Sequence, residues 1–569
     1  MTTEPDNQPN ALAAFAARLA QLGVEHAVLS PGSRSAPLIL ALANTAGLKP
    51  WSLIDEREAG FFALGVGKAT NIPALVACTS GTAAAELAPA VHEAAEARTP
   101  LIVLTADRPP DLRAAGENQT IDQVGVYGSA APTVQGPPFT SEAATSWIRL
   151  ADEVFAAATG TSPGPVHVNV PLWEPLAQSA NPAVVAAALE SASVNMAGRE
   201  THGAVPSGVL ALLAESNRPL AICGRDERGQ GAEVATWCAK AEIPMIADPL
   251  AQSNRGTTTT TVTAWDALVR DEAWRAGQAP DLVLRTGDLP TSKPLRAWLA
   301  QLAATGVPVV HFDPERSLRD PISATSTRVP APVTDIDPSH LGACEASWLD
   351  SWLESGSRAT KAIDTLLGSA DSKTLSEPGV IRASCQTLQG DTTLMIAASM
   401  PVRDLETFHL GKTGPVCVAN RGANGIDGTI ATAAGYAAAT QAPTVLICGD
   451  VTFAHDVAGL AAARESASSL LVLVLDNGGG AIFDYLPISD QKSVYERFVF
   501  TPPHLDFAAA AQTWGLPFIE ITSTEQLRHE LTSVEDLEGP RLALIRVGRH
   551  DAQELRTAIW AAVAASIVE

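Results

Sequence analysis

The sequence predicts an α/β protein made of three doubly wound domains, each built on a mainly parallel sheet. Three observations carry that expectation. Short apolar runs alternate with Ala-rich helical stretches, the order of strand, crossover helix and parallel strand. The runs end in polar turns, several of them glycine-bearing, and right-handed crossovers gather such turns at one sheet edge, where open α/β sheets bind ligands. The chain, at 569 residues, is also too long for one core. A Ser/Ala/Asn-rich stretch from Gln178 to Gly208 reads as a linker, and a second soft, polar stretch spans Glu354 to Glu377. Domains are therefore expected at residues 1–190, 205–350 and 376–569.

In the first block, a strand from His26 to Leu29 ends in Ser30-Pro31-Gly32-Ser33-Arg34-Ser35. Trp51 to Ile54 ends in Asp55-Glu56-Arg57, ahead of a helix predicted over Ala59 to Ala69. Ala74 to Cys78 ends in Thr79-Ser80-Gly81-Thr82, Leu101 to Leu104 in Thr105-Ala106-Asp107-Arg108-Pro109-Pro110, and Val166 to Val170 in Pro171-Leu172. The middle block has strands near Leu220 to Cys223, Leu282 to Leu284 and Val307 to Phe312. Its Gly224-Arg225 and Gly229-Gln230-Gly231 form a weak nucleotide-loop pattern, and a plain α/β domain is the preferred reading. The third block repeats the parallel pattern, and blocks one and three are similar in size and layout.

Two strand ends of the third block are the most informative. Thr444 to Cys448 runs into Gly449-Asp450, and Leu470 to Leu475 runs into Asp476-Asn477-Gly478-Gly479-Gly480. A helical stretch, roughly Ala454 to Ala467, lies between them, with Val457, Leu460 and Ala461 on one face. Asp450, the Asn477 amide and a backbone carbonyl near Gly479 would face one point, an all-oxygen set suited to Mg²⁺ with positions left for phosphate oxygens and water. The glycines allow close approach of a diphosphate. The plain alternative is two buried strands with ordinary turn residues.

Composition narrows the function classes. The net charge of −24, from 38 basic and 62 acidic residues, disfavours nucleic acid and anionic membrane as partners. Seven scattered cysteines without a CxxC pair, and an N-terminus (MTTEPDNQPN) without a basic, apolar leader, point to a reduced, cytoplasmic protein. No apolar run approaches the roughly 20 residues of a membrane span.

Further motifs follow in order: Glu117-Asn118-Gln119, Pro290-Thr291-Ser292-Lys293, Ser399-Met400-Pro401-Val402-Arg403-Asp404, Asn420-Arg421-Gly422-Ala423-Asn424-Gly425-Ile426-Asp427-Gly428, and Ile482-Phe483 with Leu486-Pro487. With the turns above, this ordered set resembles the 2-succinyl-5-enolpyruvyl-6-hydroxy-3-cyclohexene-1-carboxylate synthase family, thiamine-diphosphate enzymes of menaquinone biosynthesis. One departure is Val451, where thiamine-diphosphate enzymes usually carry a second glycine.

The resemblance implies the thiamine-diphosphate enzyme architecture, with the aminopyrimidine bound by the first block, the diphosphate by the third, and a nucleotide-binding-like middle block without its ligand. It implies thiamine diphosphate and Mg²⁺ as cofactors, with Mn²⁺ as the alternative ion. The implied reaction decarboxylates 2-oxoglutarate and adds the succinyl carbanion equivalent to isochorismate. The implied assembly is a homodimer or homotetramer with active sites between chains. Glu56 matches the acid that hydrogen-bonds the cofactor's N1′, and Ile426 the apolar prop that bends it. Gly81, Ser399, Met400, Gly449 and Ile482 match other cofactor contacts, and Asp450, Asn477 and Gly479 the metal turn. Arg34 and Arg403, with Glu56 and Gln119, match catalytic positions. Ser33, Arg108, Asn118, Lys293, Arg421, Phe483 and Leu486 complete the substrate side, where arginines suit dicarboxylates. Taken singly, each of these residues has a plainer reading: salt bridge, helix cap, loop amide or core.

Two rivals stand beside this reading. One is another thiamine-diphosphate 2-oxo acid decarboxylase or an acetolactate-synthase-like carboligase; the basic side chains and the lack of an extended flavin-binding segment argue against it. The other is an inactive binding or assembly protein, against which Glu56, Asp450 and Asn477 argue. His455, just past the Gly449-Asp450 turn, reads as structural.

Overall fold

The computed structural model describes residues 5–192, 203–226, 229–315, 317–342, 344–369, 375–410 and 412–568. Outside them fall the start of the polar N-terminal arm, part of the expected linker at 178–208, two residues of the middle block's glycine pattern, and 370–374 of the second soft stretch.

Three all-parallel sheets organise the chain. The first holds β1 (His26–Leu29), β2 (Lys49–Ser52), β3 (Ala74–Cys78), β4 (Leu101–Asp107), β5 (Thr133–Gln135) and β6 (Pro165–Pro171), in the order β2-β1-β3-β4-β6-β5. The second holds β7 (Pro219–Cys223), β8 (Met245–Ala247), β9 (Leu282–Thr286), β10 (Val309–Phe312) and β11 (Thr327–Val329), in the order β11-β10-β9-β7-β8. The third holds β12 (Thr393–Ile396), β13 (Val416–Val418), β14 (Thr444–Gly449), β15 (Leu470–Asp476), β16 (Phe518–Glu520) and β17 (Arg541–Arg546), in the order β13-β12-β14-β15-β17-β16. Strand for strand, the third sheet repeats the order of the first. Inner strands such as β3, β4 and β6 are buried along their whole length, because helices cover both faces of a parallel sheet. The edge strand β2 buries only Trp51.

The short strands β5, β8, β11, β13 and β16 escape sequence detection, since three residues are too few to show a period, and β12 and the six-residue β17 escape it as well. The strand expected at Trp51 to Ile54 ends at Ser52, and Ile54 is 84% exposed. The following helix begins at Glu56 rather than Ala59, because the Asp55 carboxylate accepts from the backbone N–H of Arg57 at 2.9 Å and caps it. The helical stretch expected at 454–467 is two helices, Asp450–His455 and Gly459–Ser466. The stretch at 178–208 contains a helix, Pro182–Ser191, with no buried side chain.

The soft stretch expected at 354–377 is corrected over most of its length: a helix runs from Ala346 to Ser369. Its buried face carries Trp348, Trp352, Ala359 and Ile363 into the core that joins the middle and third blocks. Trp352 meets Trp274 edge to face at 4.9 Å between centroids. The polar opposite face is what reads as soft in sequence.

Block one joins block three through two helices, Glu56–Thr70 and Thr429–Thr440. At this seam the backbones touch. A Cβ on Gly65 would lie 2.1 Å from the Thr432 carbonyl oxygen, and one on Gly435 would lie 2.0 Å from that of Phe62. The Ala-rich helices thus serve close packing within one chain.

Candidate active site

The register of β14 with β15 pairs Gly449 with Leu475, so Asp450 comes to lie beside Asp476, with Asn477 just beyond. Asp450 is 1% exposed. Its Oδ1 accepts from the Val451 N–H at 2.8 Å, while Oδ2 is buried without a hydrogen-bond partner among the described residues. Burial, and then the neighbouring Asp476 carboxylate, push Asp450 up to about 7. An acid desolvated next to a second acid, with an orphaned oxygen, calls for a cation.

Asn477 is held from behind. Its Nδ2 donates to Glu377 at 2.7 Å, and Arg556 grips Glu377 at 2.9 Å and Asp404 at 2.9 and 2.5 Å. With the amide nitrogen engaged, Oδ1 is left to the turn, where the Gly479 N–H donates to it at 3.3 Å. A Cβ on Gly449 or Gly478 would meet nothing within 4 Å, so the turn is open to a ligand. Gly479 has no such room: its Cβ would lie 2.6 Å from the Phe500 carbonyl oxygen. The donor set fits a hard divalent ion: the orphan Asp450 oxygen, the Asn477 amide oxygen and the Gly479 carbonyl. Among the described residues no group of three or more His, Cys, Asp or Glu side chains forms a metal site, so amide and carbonyl oxygens are needed here.

A cavity of about 670 Å³ opens between the middle and third blocks. Seven sequence-predicted residues line it: Lys293, Ser399, Arg403, Arg421, Ile426, Ile482 and Phe483. Arg225, Arg296 and Arg319 line it as well and were not expected. Ser399, at φ +73° before helix Met400–Phe408, is a non-glycine residue in the left-handed region, a strain that accumulates at functional sites. Met400, half-buried, opens that helix outside the cavity lining. Lys293 opens helix Lys293–Ala304, capped by the Ser292 hydroxyl. Arg421 donates to Thr291 Oγ1 at 3.1 Å, and the buried Glu93 of block one accepts from the Gly422 and Ala423 N–H groups at 2.8 and 2.7 Å. Burial, with Arg225 nearby, pushes Arg421 down to about 10; burial and then Arg296 lower Arg403. Asp248 and Asp288 also line the cavity and offset part of this charge, Asp288 pairing with Arg225 and, at 3.3 Å, with Arg319; the remaining excess of cations suits an anion. Ile426 is half-buried on this cavity rather than in the core. Leu486, 40% exposed, is not part of the lining, so the expected apolar wall is formed here by Ile482 and Phe483.

The block-one residues form a second cluster. Arg108 donates from Nη1 to Ser80 Oγ at 2.8 Å and from Nη2 to the Asn118 carbonyl at 2.7 Å. Gln119, at φ +54°, donates from Nε2 to the Ser80 carbonyl at 3.1 Å. Gly81, at φ +86°, donates to the buried Gln123 amide at 2.8 Å, and its Cβ would lie 2.9 Å from Gln119 Cγ. The turn after β1 reaches the turn after β3, since a Cβ on Gly32 would lie 2.4 Å from that of Thr79. Arg34 donates to the Leu172 carbonyl at 3.1 Å, and burial with Arg108 nearby lowers it. Ser33 is exposed and does not cap the next helix; Ser35 holds that position without a capping bond. Glu56, half-buried in the first turn of its helix, is raised by burial, then by Asp55 and Glu86. None of Ser33, Arg34, Glu56, Arg108, Asn118 and Gln119 lines the cavity of the other two blocks.

His455 does have a partner: its Nε2 is 3.8 Å from Asp427 Oδ1, and its carbonyl accepts from Arg57 at 3.3 Å. Glu93, Gln123, Glu377, Asp476 and Arg556 are the supporting residues that sequence reasoning missed. Only Asp476 carried a signal, its place in the Asn-Gly turn.

Comparison with known proteins accords with this geometry. Residues 9–126 match the family model described as thiamine pyrophosphate enzyme, N-terminal TPP binding domain, and residues 398–547 match its C-terminal TPP binding domain. Three relatives bear the name 2-succinyl-5-enolpyruvyl-6-hydroxy-3-cyclohexene-1-carboxylate synthase. The one from Geobacillus thermodenitrificans is 37% identical, covering 98% of this chain and 97% of its own. Those from Chloroflexus aurantiacus and Myxococcus xanthus are each 35% identical, covering 98% and 96% of this chain and 97% and 96% of their own.

Proposed function

Because the chain belongs to the 2-succinyl-5-enolpyruvyl-6-hydroxy-3-cyclohexene-1-carboxylate synthase family of thiamine-diphosphate enzymes, we propose that it joins 2-oxoglutarate, after loss of CO₂, to isochorismate in menaquinone biosynthesis. The observation that carries the substrate assignment is the cationic cavity beside Ser399 and Ile426, with Lys293, Arg403 and Arg421 on its wall. Both substrates are dicarboxylates, and fixed guanidinium groups bind carboxylates in defined geometry. The lining carries six cationic side chains against Asp248 and Asp288, an excess that suits a dianion better than a monoanion.

Thiamine diphosphate, when bound, supplies the nucleophilic carbon and stores the electron pair that decarboxylation releases. Asp450, Asn477 and the Gly479 carbonyl would hold Mg²⁺, with Mn²⁺ as the alternative ion; the orphaned Asp450 oxygen supports this role. Glu56 would share a proton with the aminopyrimidine N1′; burial raises its pKa, which supports that role. Ile426 would pack against the cofactor as its apolar prop, with Gly81, Ser399, Met400, Gly449 and Ile482 as further contacts. Arg34, Arg108, Asn118, Gln119 and Ser33 would face substrate from block one, and Phe483 from block three, while Leu486 lies outside the cavity lining.

The separation of the block-one cluster from the cavity of blocks two and three supports a site completed by a second chain, and hence a homodimer or a pair of dimers. The seven free thiols suit a reducing compartment, the cytoplasm; no helix among the described residues is long and apolar enough to cross a membrane. The test is turnover of 2-oxoglutarate with isochorismate in the presence of thiamine diphosphate and Mg²⁺. CO₂ release coupled to the adduct supports the reading; turnover of pyruvate alone would favour a different thiamine-diphosphate enzyme.

A further inference from the structure

The segment from Gly480 to Phe500 leaves the metal turn, carries Ile482, Phe483 and Leu486, and returns on itself: the Gly480 N–H donates to the Phe500 carbonyl at 2.6 Å. Its own core is small, with only Ala481, Tyr495 and Phe500 forming a buried apolar cluster. Phe483, Tyr485, Leu486, Ile488, Val494 and Phe498 remain at least 37% exposed. Burial alone therefore fixes this segment weakly.

Arg556 reaches the segment at one point, donating from Nη1 to the Tyr485 hydroxyl at 2.6 Å, and a second side chain from outside grips it at three. Arg549, beyond the end of β17, donates from Nε and Nη2 to the two oxygens of Asp484 at 2.9 and 2.7 Å, and from Nη1 to Glu496 at 2.9 Å. Its guanidinium lies 3.6 Å from the centroid of the Phe500 ring. Tyr495 adds a bond to Asp484 at 2.6 Å. A forked pair of charge-assisted bonds with a cation–π contact is a strong, directional anchor. The Phe500 ring also sits against Gly479, whose Cβ would lie 2.7 Å from Phe500 Cε1.

We infer that Arg549 is a positioning residue that locks the 480–500 segment, and so sets the Ile482/Phe483 wall of the cavity. This function for the wall rests on the proposed reaction; the anchoring itself does not. Arg549→Met keeps the length of the side chain and removes the fork and the charge. Asp484→Asn is the milder variant, should the first fail to fold.

The test uses full-length protein loaded with thiamine diphosphate and Mg²⁺. Hydrogen exchange of peptides within 480–500 is expected to quicken by about tenfold in Arg549→Met, and by less in Asp484→Asn, while β14 and β15 keep their protection. KM for at least one dicarboxylate substrate is expected to rise by about fivefold or more with kcat nearly unchanged, the signature of lost uniform binding. Arg549→Lys, which retains one ion pair, should fall between. Unchanged exchange in both Arg549→Met and Asp484→Asn overturns the anchor. Faster exchange with unaltered KM overturns its link to the wall. If wild-type protein turns over neither substrate, the proposed reaction fails, and the exchange result still decides whether Arg549 is the anchor.

Discussion

Asn477 donates its amide N–H to Glu377 at 2.7 Å, from a position 100 residues away in sequence. That bond decides which end of the amide faces the turn, and Arg556 fixes Glu377 in its turn. Replacing Glu377 by Ala should free the amide to flip and weaken Mg²⁺ affinity in the ternary mixture with thiamine diphosphate by about 10–100-fold, the usual cost of losing such outer support. Mg²⁺ titration followed by cofactor fluorescence quenching would read this. An unaltered Mg²⁺ dependence would mean that the turn orients Asn477 unaided.

Asp450→Ala removes the only anionic group of the proposed donor set. Thiamine-diphosphate binding should weaken by about 100-fold at limiting Mg²⁺ and recover in part at saturating Mg²⁺. Calorimetric titrations at several Mg²⁺ concentrations would measure it; equal affinity throughout would place the metal elsewhere.

Glu56→Gln keeps the size of the side chain and loses the exchangeable acid proton. Turnover should fall by at least about 100-fold with cofactor affinity changed little. The direct measurement is hydrogen–deuterium exchange at C2 of the bound cofactor, and wild-type exchange in the variant would remove Glu56 from this role.

Mixing Glu56→Gln chains with Asp450→Ala chains tests the shared site. A mixed dimer would carry one site with both lesions and one with neither, so activity should return. Subunit exchange proven by mass spectrometry, with no activity regained, would place each site within one chain.

His167 predicts an acid limb of stability. It is fully buried between the Thr105 and Thr133 hydroxyls, at 2.7 and 3.0 Å, and burial pushes it from its ordinary 6.5 down to about 4. Between those values the unfolded chain binds the proton and the folded chain does not. Stability therefore falls as pH drops through that window, by roughly 3 kcal/mol from this residue. His167→Gln, which can still bond both hydroxyls, should lose that slope in denaturant melts across the window. A slope equal to wild type would assign the acid limb to other groups.

Most of the long central strands and their turns were legible in the sequence because a buried strand is a clean apolar run and most of the turns carry glycine or proline; the interior β17 (Arg541–Arg546), flanked by arginines, was not. It misjudged Ala346–Ser369, where charge on one face hid the tryptophans on the other. Of the site, the residues proposed as direct contacts, such as Asp450, Arg403 and Arg421, were visible because they sit inside short turn motifs. Glu377, Glu93 and Gln123 were not: each acts across more than 40 residues of chain, and a buried acid or amide bonded to backbone or to another side chain has no local pattern. The left-handed backbone at Ser399 and Gln119 was equally hidden, since neither residue type advertises it.

The contact of Gly65 and Gly435 with the opposing helix bears on how this protein tolerates change. Any β-carbon at either position drives into a main-chain carbonyl that no rotamer change can move aside. In a randomised library these two sites would behave as fixed letters, while the exposed rim at Leu486 and Phe498 could vary and changes at Phe483 would reshape the cavity wall. Evolvability in this chain is thus divided unevenly: the seam that holds blocks one and three together is frozen, and the novelty must come from the rim.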